Sequence, residues 1–168
     1  LFGPRVLLVC LVTIGTCMLS EYLSRKIMKR SNTLGDLSAV VTGLLLAFNL
    51  PVSIPLWQAA IGSVIAIVVV KQLFGGIGQN FVNPAITGRI ILMVSFPTAM
   101  TTWIKPLLWL DKGAEAVTTA TPLTMMTKGG ELSDGLPSLV DMLIGIRGGS
   151  LGETCAVALI IGGVYLMI

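Results

Sequence analysis

Apolar runs long enough to matter to a membrane alternate with short polar breaks along most of this chain. The first run covers residues 6–23, close to the ~20 residues that an α-helix needs to cross a bilayer. Arg25, Lys26, Lys29 and Arg30 follow it directly. A second run, 37–50, is shorter. Thr33-Leu34-Gly35-Asp36 before it has the form of a capping box, and Asn49-Leu50-Pro51 ends it. Its length predicts a short span or a half-helix that stops inside the protein. The third run, 55–73, carries Lys71 near its end. A glycine-rich polar connection from Gly75 to Asn83 leads to a fourth, 84–104, with Pro84 at its start and Arg89 soon after. Residues 105–150 make the one long polar stretch. The last run, 151–168, follows Ser150-Leu151-Gly152-Glu153, a Ser-x-x-Glu pattern that predicts a helix start.

This pattern predicts an all-α, polytopic membrane helical bundle with one short or broken helix. Residues 1–104 hold transmembrane helices, 105–150 a polar loop and 151–168 the start of a further transmembrane helix. The chain opens on Leu1 and stops within an apolar run at Ile168, so it reads as an internal piece of a longer protein.

Composition strengthens the membrane reading. Apolar residues make up 54% and charged residues 11%, against about 25% charged in soluble domains. Mean hydropathy is +0.92. The net charge of +3 is small and dispersed, which argues against nucleic acid as a partner. With no histidine, histidine bases and ligands are excluded. Cys10, Cys17 and Cys155 lie in apolar runs without CxxC spacing, so no metal site or disulfide framework is predicted. Trp57, Trp103 and Trp109 fit an interfacial aromatic belt.

Charge then sets orientation. Four basic residues beside the first run mark the cytoplasmic side of a cell membrane. If 37–50 crosses, Lys71 and Arg89 both fall on that side, and the 105–150 loop lies outside it. If 37–50 is re-entrant, the loop moves to the cytoplasm.

The loop holds the most suggestive chemistry, Thr118-Thr119-Ala120-Thr121-Pro122-Leu123. Three hydroxyls crowd into four residues beside a small alanine. A loop threonine with small neighbours can be esterified to a phosphate, one way to hold a cofactor covalently. The structural alternative makes Thr121 an N-cap and Pro122 the first residue of a short helix, 123–128, ended by Gly129-Gly130. The glycines of Gly75-Gly76-Ile77-Gly78-Gln79-Asn80 lack dinucleotide spacing and a βαβ context. Asn83 with Pro84 reads as a helix start. Such a helix N-terminus at membrane depth can also receive an anion or a polar ring, which makes Asn80 and Asn83 candidates. Asn83-Pro84-Ala85 is similar to the half-helix motif of aquaporins, although the second copy is absent. A polar-solute channel or transporter is therefore an alternative function. Asp36 and Glu153 occupy capping-box positions, yet ionisable groups at a span edge also line ion paths. Arg89, inside a span, needs an acid, a carbonyl or a phosphate, or must snorkel.

Four runs carry a family resemblance along the whole chain. They are Gly35-Asp36-Leu37-Ser38-Ala39-Val40-Val41-Thr42-Gly43-Leu44-Leu45-Leu46-Ala47, Gly75 to Asn80 with Asn83-Pro84-Ala85, Thr118 to Leu123, and Gly149-Ser150-Leu151-Gly152-Glu153-Thr154. The chain resembles the family of the RnfD subunit of the Rnf ion-translocating ferredoxin:NAD oxidoreductase. It is also similar to the homologous NqrB subunit of the sodium-pumping NADH:quinone oxidoreductase. The resemblance implies an all-helical fold of two repeated halves, related to urea and ammonium channels, of which this chain is about one half. It implies FMN joined through its phosphate to a threonine of an Asp-x-x-Ser/Thr-Gly-Ala-Thr motif by a flavin transferase. On that motif the acceptor is Thr121, after Ala120, with Thr118 at the Ser/Thr position. Glu115 stands where the motif has Asp, and Thr119 where it usually has Gly. A second, non-covalent flavin is also implied. So are the membrane, flavin and iron–sulfur subunits of such a complex as partners, in a lipid bilayer, with Na⁺ or H⁺ as the transported ion. The subunit would carry electrons without being catalytic alone. Asn80, Asn83, Arg89, Asp36 and Glu153 are the candidates for lining a flavin or ion path.

Overall fold

The computed structural model describes residues 2–104, 106–107, 118–119 and 138–167. Apolar helices form almost all of it. Helix α1, Arg5–Ile27, has 23 residues, a rise of about 34 Å at ~1.5 Å per residue. Among the described residues it is the one helix long and apolar enough to cross a membrane. Leu7, Leu8, Leu11 and Leu19 are exposed on its outer face, an apolar surface suited to lipid rather than water. Its buried residues are Val9, Thr13, Cys17, Ser20, Glu21 and Ser24, three or four apart on one stripe. Two of the hydroxyls there bond back within the helix: Thr13 Oγ1 donates to Val9 O at 3.0 Å and Ser24 Oγ to Ser20 O at 2.6 Å. Arg25 and Lys26 occupy the last turn, where positive charge meets the negative end of the helix dipole.

A 3₁₀ turn, Leu34–Asp36, leads into α2, Ser38–Phe48. With 11 residues α2 rises about 16 Å, roughly half the hydrocarbon thickness. It packs tightly on α1 because position 43 is glycine: a Cβ there would stand 2.8 Å from Ile14 Cα. Beyond α2 the chain reaches the start of α1, where Arg5 Nε donates to Val52 O at 2.9 Å. Helix α3, Leu56–Ile65, then returns and continues as a π-helix, Ala66–Gln72. Helix α4 is Pro84–Ser95. Asn83 caps it, with Oδ1 accepting from Ala85 N at 3.0 Å and Ile86 N at 3.3 Å. The core joins these helices through Val9, Leu46, Leu50, Ile54, Ala59, Ala85, Leu92 and Met100.

Three sequence expectations change here. Residues 84–104 are not one helix. Pro97 has no N–H and disfavours helical geometry in the residue before it. Phe96 accordingly sits at φ −133° and α4 stops at Ser95. A short α5, Pro97–Thr101, and strand β1, Trp103–Ile104, follow. Strand β2, Thr118–Thr119, pairs with β1, and α6 is Leu139–Ile144. The last helix, α7, is Ala156–Met167 rather than starting at residue 151. Leu151 N and Gly152 N are already engaged by Leu50 O at 3.2 Å and Phe48 O at 2.8 Å, so Ser150 to Glu153 form a docked turn. Finally, Thr33 to Asp36 is no reciprocal capping box. Thr33 Oγ1 donates to Glu21 Oε1 at 2.7 Å, while Asp36 Oδ1 accepts from Ser38 N at 2.8 Å.

Candidate functional site

Polar side chains gather at the two ends of α2. At its start, Lys71 Nζ donates to Glu21 Oε2 at 2.8 Å and to Ser38 Oγ at 2.5 Å. The side chains of Lys71 and Glu21 are 3% and 1% exposed. Two opposite charges so fully removed from solvent depend on each other, because either alone would carry a desolvation cost with no compensation. Thr33 Oγ1 holds the second oxygen of Glu21. Ser38 Oγ in turn donates to Asp36 Oδ1 at 2.5 Å. Asp36 is exposed, in the turn outside the spans, and the Ser38 hydroxyl and amide hold its carboxyl below its ordinary value. Four elements meet here: α1, the 3₁₀ turn, the start of α2 and the end of the π-helix.

At the other end of α2, Arg89 Nη1 donates to Asn49 Oδ1 at 2.8 Å and lies 3.5 Å from Glu153 Oε1. Ser150 Oγ donates to Glu153 Oε2 at 2.6 Å, and Arg147 Nη2 to Glu153 O at 2.9 Å. The structure thus brings Arg89 and Glu153 together and sets Asp36 apart from both. It also corrects one orientation expectation. Lys71 contacts Ser38 and Arg89 contacts Asn49, so the two cations sit at opposite ends of α2 rather than on one side. The cause is the start of α4: its first turns run beside the end of α2 after the glycine connection.

That connection closes against the basic end of α1. Gly75, Gly76 and Gly78 have φ of 118°, 111° and 77°, in the region that favours glycine. A Cβ at Gly76 would meet Arg25 Nη2 at 2.5 Å. Arg30 Nη1 donates to Gln72 O at 3.3 Å. Among the described residues, no partner reaches Asn80 Oδ1 or either amide atom of the buried Gln72 side chain. Asn83 is occupied as the cap of α4.

Of the threonine-rich run, Thr118 and Thr119 form β2, antiparallel to β1 with Trp103 opposite Thr119 and Ile104 opposite Thr118. Glu115, Ala120 and Thr121 lie outside the described residues. The strand pair roots at the Arg5 end of α1. Ser53 Oγ donates to Thr102 O at 2.7 Å, beside the Val52 carbonyl that Arg5 holds.

Glu21 is the functional candidate that the sequence reading missed. It hides as one acid in an apolar run. The available signal was the spacing of Thr13, Cys17, Ser20, Glu21 and Ser24, a polar stripe on a spanning helix.

A model of the NQR2, RnfD, RnfE family matches residues 1–168. The chain is 45% identical to the D subunit of the Na⁺-translocating ferredoxin:NAD⁺ oxidoreductase complex of Acetobacterium woodii, over 99% of this chain and 51% of that protein. It is 44% identical to the D subunit of the proton-translocating ferredoxin:NAD⁺ oxidoreductase complex of Clostridium ljungdahlii, with the same coverage of 99% and 51%. The D subunit of the ion-translocating oxidoreductase complex of Stutzerimonas stutzeri is 35% identical, over 99% of this chain and 54% of its own length. The chain spans about half the length of the curated relatives it matches.

Proposed function

Because the chain belongs to the NQR2, RnfD, RnfE family, we propose that it serves as a membrane flavoprotein subunit of an ion-pumping complex that passes electrons from ferredoxin to NAD⁺. The observation that carries this reading is the chain-long similarity to two D subunits whose names specify ferredoxin:NAD⁺ oxidoreduction. The same names favour ferredoxin and NAD⁺ over the quinone reaction of the homologous NqrB subunit. They also favour an electron carrier over a polar-solute channel.

Thr121 is the proposed attachment point, its Oγ1 in phosphoester linkage to FMN placed there by a flavin transferase. When bound, FMN supplies electron transfer through its ring, and the protein supplies position and electrostatics. Thr118 and Thr119 fit this role because their pairing with Trp103 and Ile104 ties the motif to the helical body. Ala120 keeps the acceptor uncrowded, and Glu115 supplies the carboxylate of the motif. The other flavin and iron–sulfur subunits are the proposed electron partners, and Na⁺ or H⁺ the ion.

Full-length protein made together with a flavin transferase should give a fluorescent band under ultraviolet light after denaturing electrophoresis. Thr121→Val should lose that fluorescence while keeping the protein band. A dark wild-type band beside an active transferase would sink the proposal.

A further inference from the structure

Buried ion pairs in membrane spans need a reason, since an apolar pair of similar volume serves packing as well or better. The Lys71–Glu21 pair has unusual surroundings. The Lys71 ammonium lies among hydroxyl and carboxylate oxygens, with direct bonds to Glu21 Oε2 and Ser38 Oγ. Thr33 Oγ1 closes the other side of Glu21. Hard oxygens of this kind are what a small cation without a hydration shell requires. Ser38 also bridges to Asp36, which is exposed. A chain of direct polar contacts therefore runs from the surface carboxylate through the Ser38 hydroxyl and the Lys71 ammonium to the buried carboxylate.

The lysine is carried by a π-helix, Ala66–Gln72. Such segments are rare and are found frequently at functional sites. A change of register there would swing Lys71 away from Glu21.

We propose that the ammonium of Lys71 is the resident occupant of a small-cation site made by Glu21, Ser38 and Thr33. A monovalent cation, Na⁺ or a proton, enters past Asp36 and takes its place. The Lys71 ammonium moves toward Asp36 as the cation arrives, so each state keeps one positive charge on Glu21. This deepens the ion-pumping function proposed above and rests on it. Among the described residues, the ionisable groups that face the site are few. On α1 they are Cys17, one turn before Glu21, and Arg25, one turn after it. Asp36 comes from the 3₁₀ turn and Lys71 from the π-helix. Helix α4 brings none, because Arg89 is held at the far end of α2.

The test uses the full-length protein in its complex, reconstituted in vesicles. It follows electron transfer together with ²²Na⁺ uptake and, in sodium-free buffer, with an internal pH dye. The double variant Glu21→Gln/Lys71→Met removes both charges and keeps the volume. It should transfer electrons while ion uptake per electron falls roughly tenfold or more. Uptake at the wild-type ratio would mean that the pair only packs, and would overturn the inference. If the double variant does not assemble, Ser38→Ala decides. Losing one oxygen should raise the half-saturating Na⁺ or proton concentration about tenfold, and an unmoved midpoint would overturn the inference. A wild-type complex that moves electrons without ions would overturn the ion-pumping reading itself.

Discussion

At the scale of single residues, charge and its burial decide what can be changed. Glu21 and Lys71 are almost fully buried against each other. Removing one leaves the other charge buried without its ion-pair partner, a loss of roughly 3–5 kcal/mol. Glu21→Ala should therefore lower the thermal midpoint of the purified full-length protein far more than the neutral double variant does. Asp36 behaves differently because it is exposed and bonded to the first amide of α2. Its carboxyl is held below its ordinary value by Ser38. A depressed carboxyl contributes stability above its unfolded value of about 3.9 and loses it as pH falls through the lower folded value. Asp36→Ala should cost about 1 kcal/mol at neutral pH, the net worth of such a bond. The difference from wild type should close below pH ~3.9, as read from paired melting curves. Asp36 and Lys71 were visible in the sequence as charges beside apolar runs. That they meet through Ser38 was not, because the contact depends on three helices arriving at one point.

Individual elements show where local pattern is sufficient and where it fails. The short second helix was legible from its length, since Leu37 to Leu50 is bounded by Asp36 and Pro51. Its tight seat on α1 follows from Gly43. Gly43→Val would drive a side chain into the Ile14 backbone, 2.8 Å from the first added atom. Overpacking of this kind costs about 1–3 kcal/mol, and a lowered melting midpoint with a loosened α1–α2 contact is expected. The break at Phe96 was also present in the sequence, as a proline inside an apolar run, but hydropathy outweighed it. Two other features had no local signal. The π-helix has the same apolar pattern as an α-helix would. The delayed start of α7 arises because the amides of Leu151 and Gly152 are taken by Leu50 and Phe48, a contact between segments far apart in sequence.

On the scale of the whole molecule, α1 separates two chemically different ends. Arg25, Lys26, Lys29 and Arg30 gather at its C-terminal end, where Arg30 also holds the Gln72 carbonyl. At its N-terminal end, Arg5 holds Val52, and Ser53 holds the chain just before β1. Since β1 pairs with Thr118 and Thr119, the root of the polar loop stands a helix length, about 34 Å, from the basic cluster. This placement does not depend on whether α2 is counted as a full crossing, because α1 alone spans the distance. By the positive-inside rule we propose that the basic end faces the cytoplasm and that the loop proposed to carry the flavin lies on the opposite face. Electrons that start on cytoplasmic carriers would then have to cross the membrane, which is where coupling to an ion acquires its purpose. In intact cells, Gly130→Cys in the full-length protein should react with an impermeant thiol reagent. Lys29→Cys should react only after the membrane is opened. The reverse pattern would place the threonine motif beside the basic cluster and remove the need for transmembrane electron transfer to reach it.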